Sequence, residues 1–101
     1  MAYQIEYDPE AREHLRALRA NDRSRVLDAI EEYLTHDAEL EPPNRRRARM
    51  RANPVAAWRL RVDPQRVYYD VEGATVRVRA IGIKRGERVA APTGEELPTH
   101  E

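Results

Sequence analysis

The sequence predicts one α+β domain with β-α-α-β-β-β order, an antiparallel sheet carrying a helical hairpin on one face. Three observations support this: an alternating apolar run opens the chain, two stripes of helical period follow it, and three short alternating segments separated by turn signals fill the second half. With 101 residues and 41% apolar content, the chain has material for one modest core.

Tyr3, Ile5 and Tyr7 alternate with Ala2, Gln4 and Glu6, the period of a half-buried strand, and Asp8-Pro9 supplies an N-cap and a proline at the first helical position. Ala11, Leu15 and Leu18 share one helical face, and Asn21-Asp22 is expected to break and recap the chain. Val26, Leu27, Ile30 and Leu34 then form a second apolar stripe. Residues 36–55 hold Pro42-Pro43, the basic run Arg45-Arg46-Arg47 and Asn53-Pro54 with no clean period, so a loop is expected there, with Met50 as an anchor.

The meander places Trp58, Leu60 and Val62, then Val67, Tyr69 and Val71, then Val76, Val78 and Ala80 on one face. A four-residue loop from Asp63 to Arg66 sets Val62 opposite Val67, and a two-residue turn at Glu72-Gly73 sets Val71 opposite Ala74. Beyond Gly82 a strand is expected to begin and fray. Residues 1–90 form the expected domain, and residues 91–101 an expected mobile acidic tail.

Net charge is zero, but its distribution is uneven. Residues 1–43 carry 5 Arg against 11 Asp/Glu (net −6), residues 44–90 carry 13 Lys/Arg against 4 Asp/Glu (net +9), and residues 91–101 add three Glu. The basic half suits a polyanion, or simply balances its acidic neighbour within the fold. On the polar face of the meander the expected register gathers Arg59, Arg61, Arg66, Tyr68, Asp70, Arg77 and Arg79, with Arg61 and Arg77 flanking Tyr68 and Arg66 opposite Arg79. Arginine forks bind phosphate oxygens in pairs and tyrosine stacks on bases, so this face fits single-stranded RNA. The other reading is a solvated sheet face in which Asp70 neutralises Arg59. Arg45, Arg46, Arg47 and Arg49 would grip nucleic-acid backbone, or belong to a solvated loop.

Absences narrow the chemistry. There is no Cys, hence no thiolate metal site or cysteine nucleophile, and the four glycines form no phosphate-cradling loop. His14, His36 and His100 show no metal-ligand spacing and read as surface residues; no metal or other cofactor is expected. The first residues, MAYQIEYDPE, lack the pattern of a signal peptide, and no apolar run approaches membrane-spanning length, so the expected location is the cytoplasm.

Trp58-Arg59-Leu60-Arg61-Val62, Arg66-Val67-Tyr68-Tyr69-Asp70-Val71 and Ala80-Ile81-Gly82-Ile83-Lys84-Arg85, in that order, resemble the meander of the RelE/ParE toxin superfamily over roughly residues 3 to 90. The resemblance implies the toxin of a toxin–antitoxin system, with a cognate antitoxin protein as partner and no membrane. RelE-like members are endoribonucleases that cut mRNA on the ribosome (mRNA interferases); ParE-like members share the fold and inhibit DNA gyrase. A member that only binds its antitoxin is the third alternative. Carried over by position, Arg59, Arg61, Arg66 and either Lys84 or Arg85 would cradle the scissile phosphate for attack by the 2′-hydroxyl, without a metal. Where the RelE pattern has a tyrosine or histidine as general acid/base, this chain has Gly86-Glu87-Arg88-Val89-Ala90. Tyr68 is then the expected proton carrier because the register sets it between two arginines, ahead of Lys84 and Glu87.

Overall fold

The computed structural model describes residues 2–99, which form two helices and a six-stranded mixed sheet. In chain order these are β1 (Gln4–Tyr7), α1 (Pro9–Ala17), α2 (Ala20–Leu34), β2 (Arg47–Arg49), β3 (Trp58–Val62), β4 (Gln65–Glu72), β5 (Thr75–Arg85) and β6 (Arg88–Ala90). The sheet runs β1-β5-β4-β3-β2, and β6 pairs with β5 beyond the end of β1. The α+β class stands, but the sheet is not wholly antiparallel, because β1 lies parallel to β5 with Ile5 opposite Val76.

The first helix starts where Asp8-Pro9 predicts, and it buries Ala11, His14 and Leu15. The break before α2 falls at Leu18-Arg19 rather than at Asn21-Asp22. Arg23 stabilises it by donating from Nε to the Leu15 carbonyl (2.9 Å) and from Nη2 to the Leu18 carbonyl (3.0 Å), two of the acceptors that a helix end leaves open. Along α2, Val26, Ala29, Ile30 and Leu34 are buried, while Leu27 faces solvent.

Both expected turns are shorter or shifted. Asp63-Pro64 is a two-residue turn, so Val62 pairs with Gln65, Leu60 with Val67, Arg61 with Arg66 and Arg59 with Tyr68. Gly73-Ala74 makes the next turn, with Glu72 opposite Thr75; the positive φ of Gly73 (62°) explains glycine there. A bulge then intervenes: Tyr69 pairs with Val78 but Tyr68 with Ala80, which leaves Arg79 as the extra residue. It reverses the alternation of β5, so Val76, Val78 and Ile81 join the core against the helices while Ala80 turns to the opposite face. The main core also holds Trp58, Leu60, Val67 and Tyr69, with Trp58 stacked on Tyr69 and the Tyr69 hydroxyl donating to the Ala38 carbonyl (2.6 Å). Burial raises the Tyr69 pKa well above its ordinary value.

The opposite face is not an open surface either. Ala56, Tyr68, Ala80, Val89, Ala91 and Leu97 form a second apolar cluster, covered by β6 and the run 91–99. Instead of fraying after Gly82, β5 continues to Arg85, turns at Gly86 and returns as β6. Instead of projecting as a tail, residues 91–99 fold back, burying Ala91, Leu97 and Thr99. Gly82 makes this possible: a Cβ there would stand 2.3 Å from Val89 Cγ1 and about 3 Å from Leu97 and Tyr68. His14, expected at the surface, is 1% exposed. Its Nδ1 accepts the Ile81 N–H (3.1 Å), a donor in the gap between β1 and β6 that no strand satisfies. His36 is exposed as expected; His100 lies outside the described residues. No described helix is long and apolar enough to cross a membrane.

Candidate nucleic-acid interface

The expected loop over residues 36–55 contains the short strand β2, which extends the sheet past β3 and builds one wall of a cleft. Ala48 lies opposite Arg59, and Gly82 lies opposite Arg66. These small residues leave room for guanidinium groups on the sheet surface. The resulting cleft, about 460 Å³, is lined by Arg45, Arg49, Arg51, Arg59, Arg61, Arg66 and Lys84, together with Ala48, Met50 and Asn53. Among the described residues, no carboxylate lines it. Asp63 stands at its rim, where Oδ1 accepts from Arg66 Nη1 (2.8 Å) and Oδ2 lies 3.5 Å from Arg61 Nε. This largely exposed carboxylate relieves the like-charge pairing of Arg61 with Arg66 across β3 and β4. Arg59 donates to the Arg45 carbonyl (3.3 Å), and Arg61 to the Asn44 carbonyl (3.1 Å). Both bonds tie the β2 wall to the floor.

The sequence-predicted residues therefore separate into groups. Arg59, Arg61, Arg66 and Lys84 come together, joined by Arg45; Arg49 borders the cleft, but its guanidinium lies over the Trp58 ring, 5.9 Å from its centroid. Arg85 is exposed at the end of β5 and Glu87 in the turn after it; neither lines the cleft. Arg47 turns inward instead: it is 6% exposed, donates to the carbonyls of Leu40 (2.9 Å) and Tyr33 (3.4 Å), and lies over the Tyr33 ring. Arg46 packs over the same ring on the α2 side. Arg51, the end of the basic run Arg45 to Arg51 that the sequence offers as a backbone grip, also lines the cleft.

Arg77 and Arg79 are committed to carboxylates rather than presented to a ligand. Arg79 Nε donates to Asp70 (2.8 Å) and Nη1 to Asp8 (3.1 Å), while Arg77 meets Glu72 (3.2 Å), Asp8 (3.3 Å) and Glu6 (3.1 Å). These partners raise the pKa of both guanidiniums, through Glu72 first for Arg77 and Asp70 first for Arg79. Asp70 thus serves Arg79 and the Ala57 amide, not Arg59. Tyr68 does not lie between Arg61 and Arg77; its neighbours across the strands are Arg59 and Ala80, and it is fully buried in the second apolar cluster.

One other set of groups converges. Glu10, His14 and Glu95 bring ligand-type atoms within 4.8 Å of one another. With His14 Nδ1 accepting the Ile81 N–H, the proton of the neutral ring sits on Nε2, which points at Glu95 Oε1 (3.1 Å). No lone pair on Nε2 faces the carboxylates, so the trio is a hydrogen-bonded latch and not a metal centre. No family model matches the chain, and no curated protein matches it.

Proposed function

We propose that the cleft holds the phosphate backbone of single-stranded RNA, and that the chain acts as a RelE-like, metal-independent endoribonuclease of a toxin–antitoxin pair that cuts mRNA on the ribosome. The observation that carries this reading is the gathering of Arg45, Arg51, Arg59, Arg61, Arg66 and Lys84 around one cleft whose lining, among the described residues, includes no carboxylate. Within it Arg59, Arg61 and Arg66 stand on adjacent strands, where a phosphate meets several forks at once. As the 2′-hydroxyl gives up its proton to solvent and attacks phosphorus, and the bond to the 5′-oxygen breaks to leave a 2′,3′-cyclic phosphate, these arginines stabilise the charge on the pentacoordinate phosphorus. Arginine stays protonated, which leaves Lys84 as the described lining residue able to deliver a proton to the departing 5′-oxygen.

The burial of Tyr68 favours a second reading, gyrase inhibition, because it removes the expected phenol from the cleft and leaves a binding surface. In either case the acidic partner that neutralises the cleft is a cognate antitoxin, and the expected site of action is the cytoplasm. Expression in a susceptible bacterium, with protein and DNA synthesis followed separately, distinguishes the readings. Early translation arrest with cuts in ribosome-bound message, lost in Lys84→Ala, supports the endoribonuclease. Induction of the DNA-damage response with intact message supports gyrase inhibition, and unimpaired growth removes both.

A further inference from the structure

The run 91–99 is anchored at three places, and the last is a wall of the cleft. Glu95 accepts from His14 Nε2 and from the Thr93 hydroxyl. Leu97 sits in the socket left open by Gly82, against Val89 and Tyr68, with its amide donating to the Val89 carbonyl (2.9 Å). Thr99, 4% exposed, accepts from Asn53 Nδ2 (2.6 Å). Asn53 also binds within its own turn, its Oδ1 accepting from the Val55 amide (2.9 Å). The preceding residue, Ala52, has φ 48°, a left-handed conformation that a non-glycine residue keeps only when its surroundings impose it. Arg51 and Asn53, on either side of this strained residue, both line the cleft.

We infer that residues 91–99 form a positioning strap for the cleft, holding Asn53 so that Ala52 stays left-handed and Arg51 and Asn53 stay on the wall. His14 and Glu95, which do not line the cleft, act on it through this strap. Only the binding arm of the test rests on the polyanion reading proposed above. Residue 52 connects the two: without the strap an alanine relaxes toward negative φ and carries Arg51 with it, whereas a glycine has no reason to move.

The test uses the full chain and a labelled oligouridylate, with affinity read by fluorescence anisotropy and amide exchange of residues 51–55 by NMR. Glu95 is about half exposed, so Glu95→Ala is not expected to prevent folding. This variant is expected to weaken binding by about 5-fold or more, the lower end of usual coupling between sites. It also speeds exchange at residues 51–55, while Glu95→Gln, whose amide oxygen still accepts from His14, restores most of both. In an Ala52→Gly background the effect of Glu95→Ala on affinity shrinks toward nothing. A strap that merely covered the apolar cluster would lower thermal stability in Glu95→Ala without changing exchange at 51–55, and that result overturns the inference. Unchanged affinity in Glu95→Ala overturns it too. If the wild-type chain binds no oligouridylate, the polyanion reading fails, and the exchange measurement still decides whether the strap holds the wall.

Discussion

The two ends of the sheet face opposite the helices carry the same kind of residue to opposite effect. At one end Arg59, Arg61, Arg66 and Lys84 stand beside Arg45 and Arg51, and Asp63 at the rim meets Arg61 and Arg66. At the other, Arg77 and Arg79 are shared among Glu6, Asp8, Asp70 and Glu72. The difference lies in what each neighbouring strand brings. β1 and the residue that precedes α1 bring carboxylates to the first half of β5, whereas the segments flanking β2 bring Arg45 and Arg51 to the face that Arg59 occupies on β3. An arginine on an alternating strand is thus a ligand-binding group or a structural cross-link according to its neighbour, and the two kinds respond differently to substitution.

The largest expected effect is at the cationic end. Arg61→Ala should lower cleavage of ribosome-bound message by about 10²-fold or more, as loss of one charge-stabilising donor usually does, while thermal melts barely move. Arg79→Met should do the reverse, costing about 1–3 kcal/mol of stability by stranding the hydrogen-bonded Asp8 and Asp70, with cleavage little changed. Equal behaviour of the two variants in melts and cleavage would remove the distinction between the ends.

Salt dependence sharpens it. On single strands log affinity falls with log salt by about 0.7 for each phosphate neutralised, so Arg61→Ala should flatten the slope by roughly that amount. Arg77→Ala should leave the slope as it is. A flatter slope in Arg77→Ala would mean that its carboxylate partners release it to the ligand.

The latch between helix and strap predicts a pH effect of known sign. The Thr93 hydroxyl first, and then His14, hold the Glu95 carboxyl below its ordinary value of 4.5, with Glu10 as the other carboxylate facing the imidazole. A carboxyl depressed on folding stabilises the fold above its ordinary pKa, and this stabilisation is lost as the pH falls through the lowered value. Leu97 methyl shifts should therefore hold steady from neutrality down to about pH 5 and move only in more acid solution. A shift between pH 6 and 8, roughly the ordinary histidine range, would place the control elsewhere. The smallest expected effect is Tyr68→Phe, which should change cleavage less than about 3-fold, against 100-fold or more for a working general acid. A larger loss would return the buried phenol to the mechanism.

Much of this was legible in local pattern. The alternation through Trp58, Leu60 and Val62, and through Val67 and Tyr69, marks the core face because a strand's side chains can go only two ways. The same parity puts Arg59, Arg61 and Arg66 together on the other face, whichever turn joins their strands. The burial of His14 was also open to sequence: Ala11, His14, Leu15 and Leu18 follow the spacing of one helical face. Its polar ring disguised it there.

By itself, then, the sequence determined the α+β class, the helical hairpin, the core face of the strands as far as Val78 and the arginines that share a cleft, all consequences of period and turn residues acting over a few positions. Tertiary structure decided the rest. Whether Arg79 is free depends on Asp8, 71 residues away along the chain, and whether Tyr68 is accessible depends on Leu97 finding the space that Gly82 leaves. The bulge at Arg79, the strand within the basic run and the return of residues 91–99 all satisfy backbone donors or cover apolar surface that exist only once distant segments have met. Periodicity describes what one segment presents; it holds no information about which segment arrives to meet it.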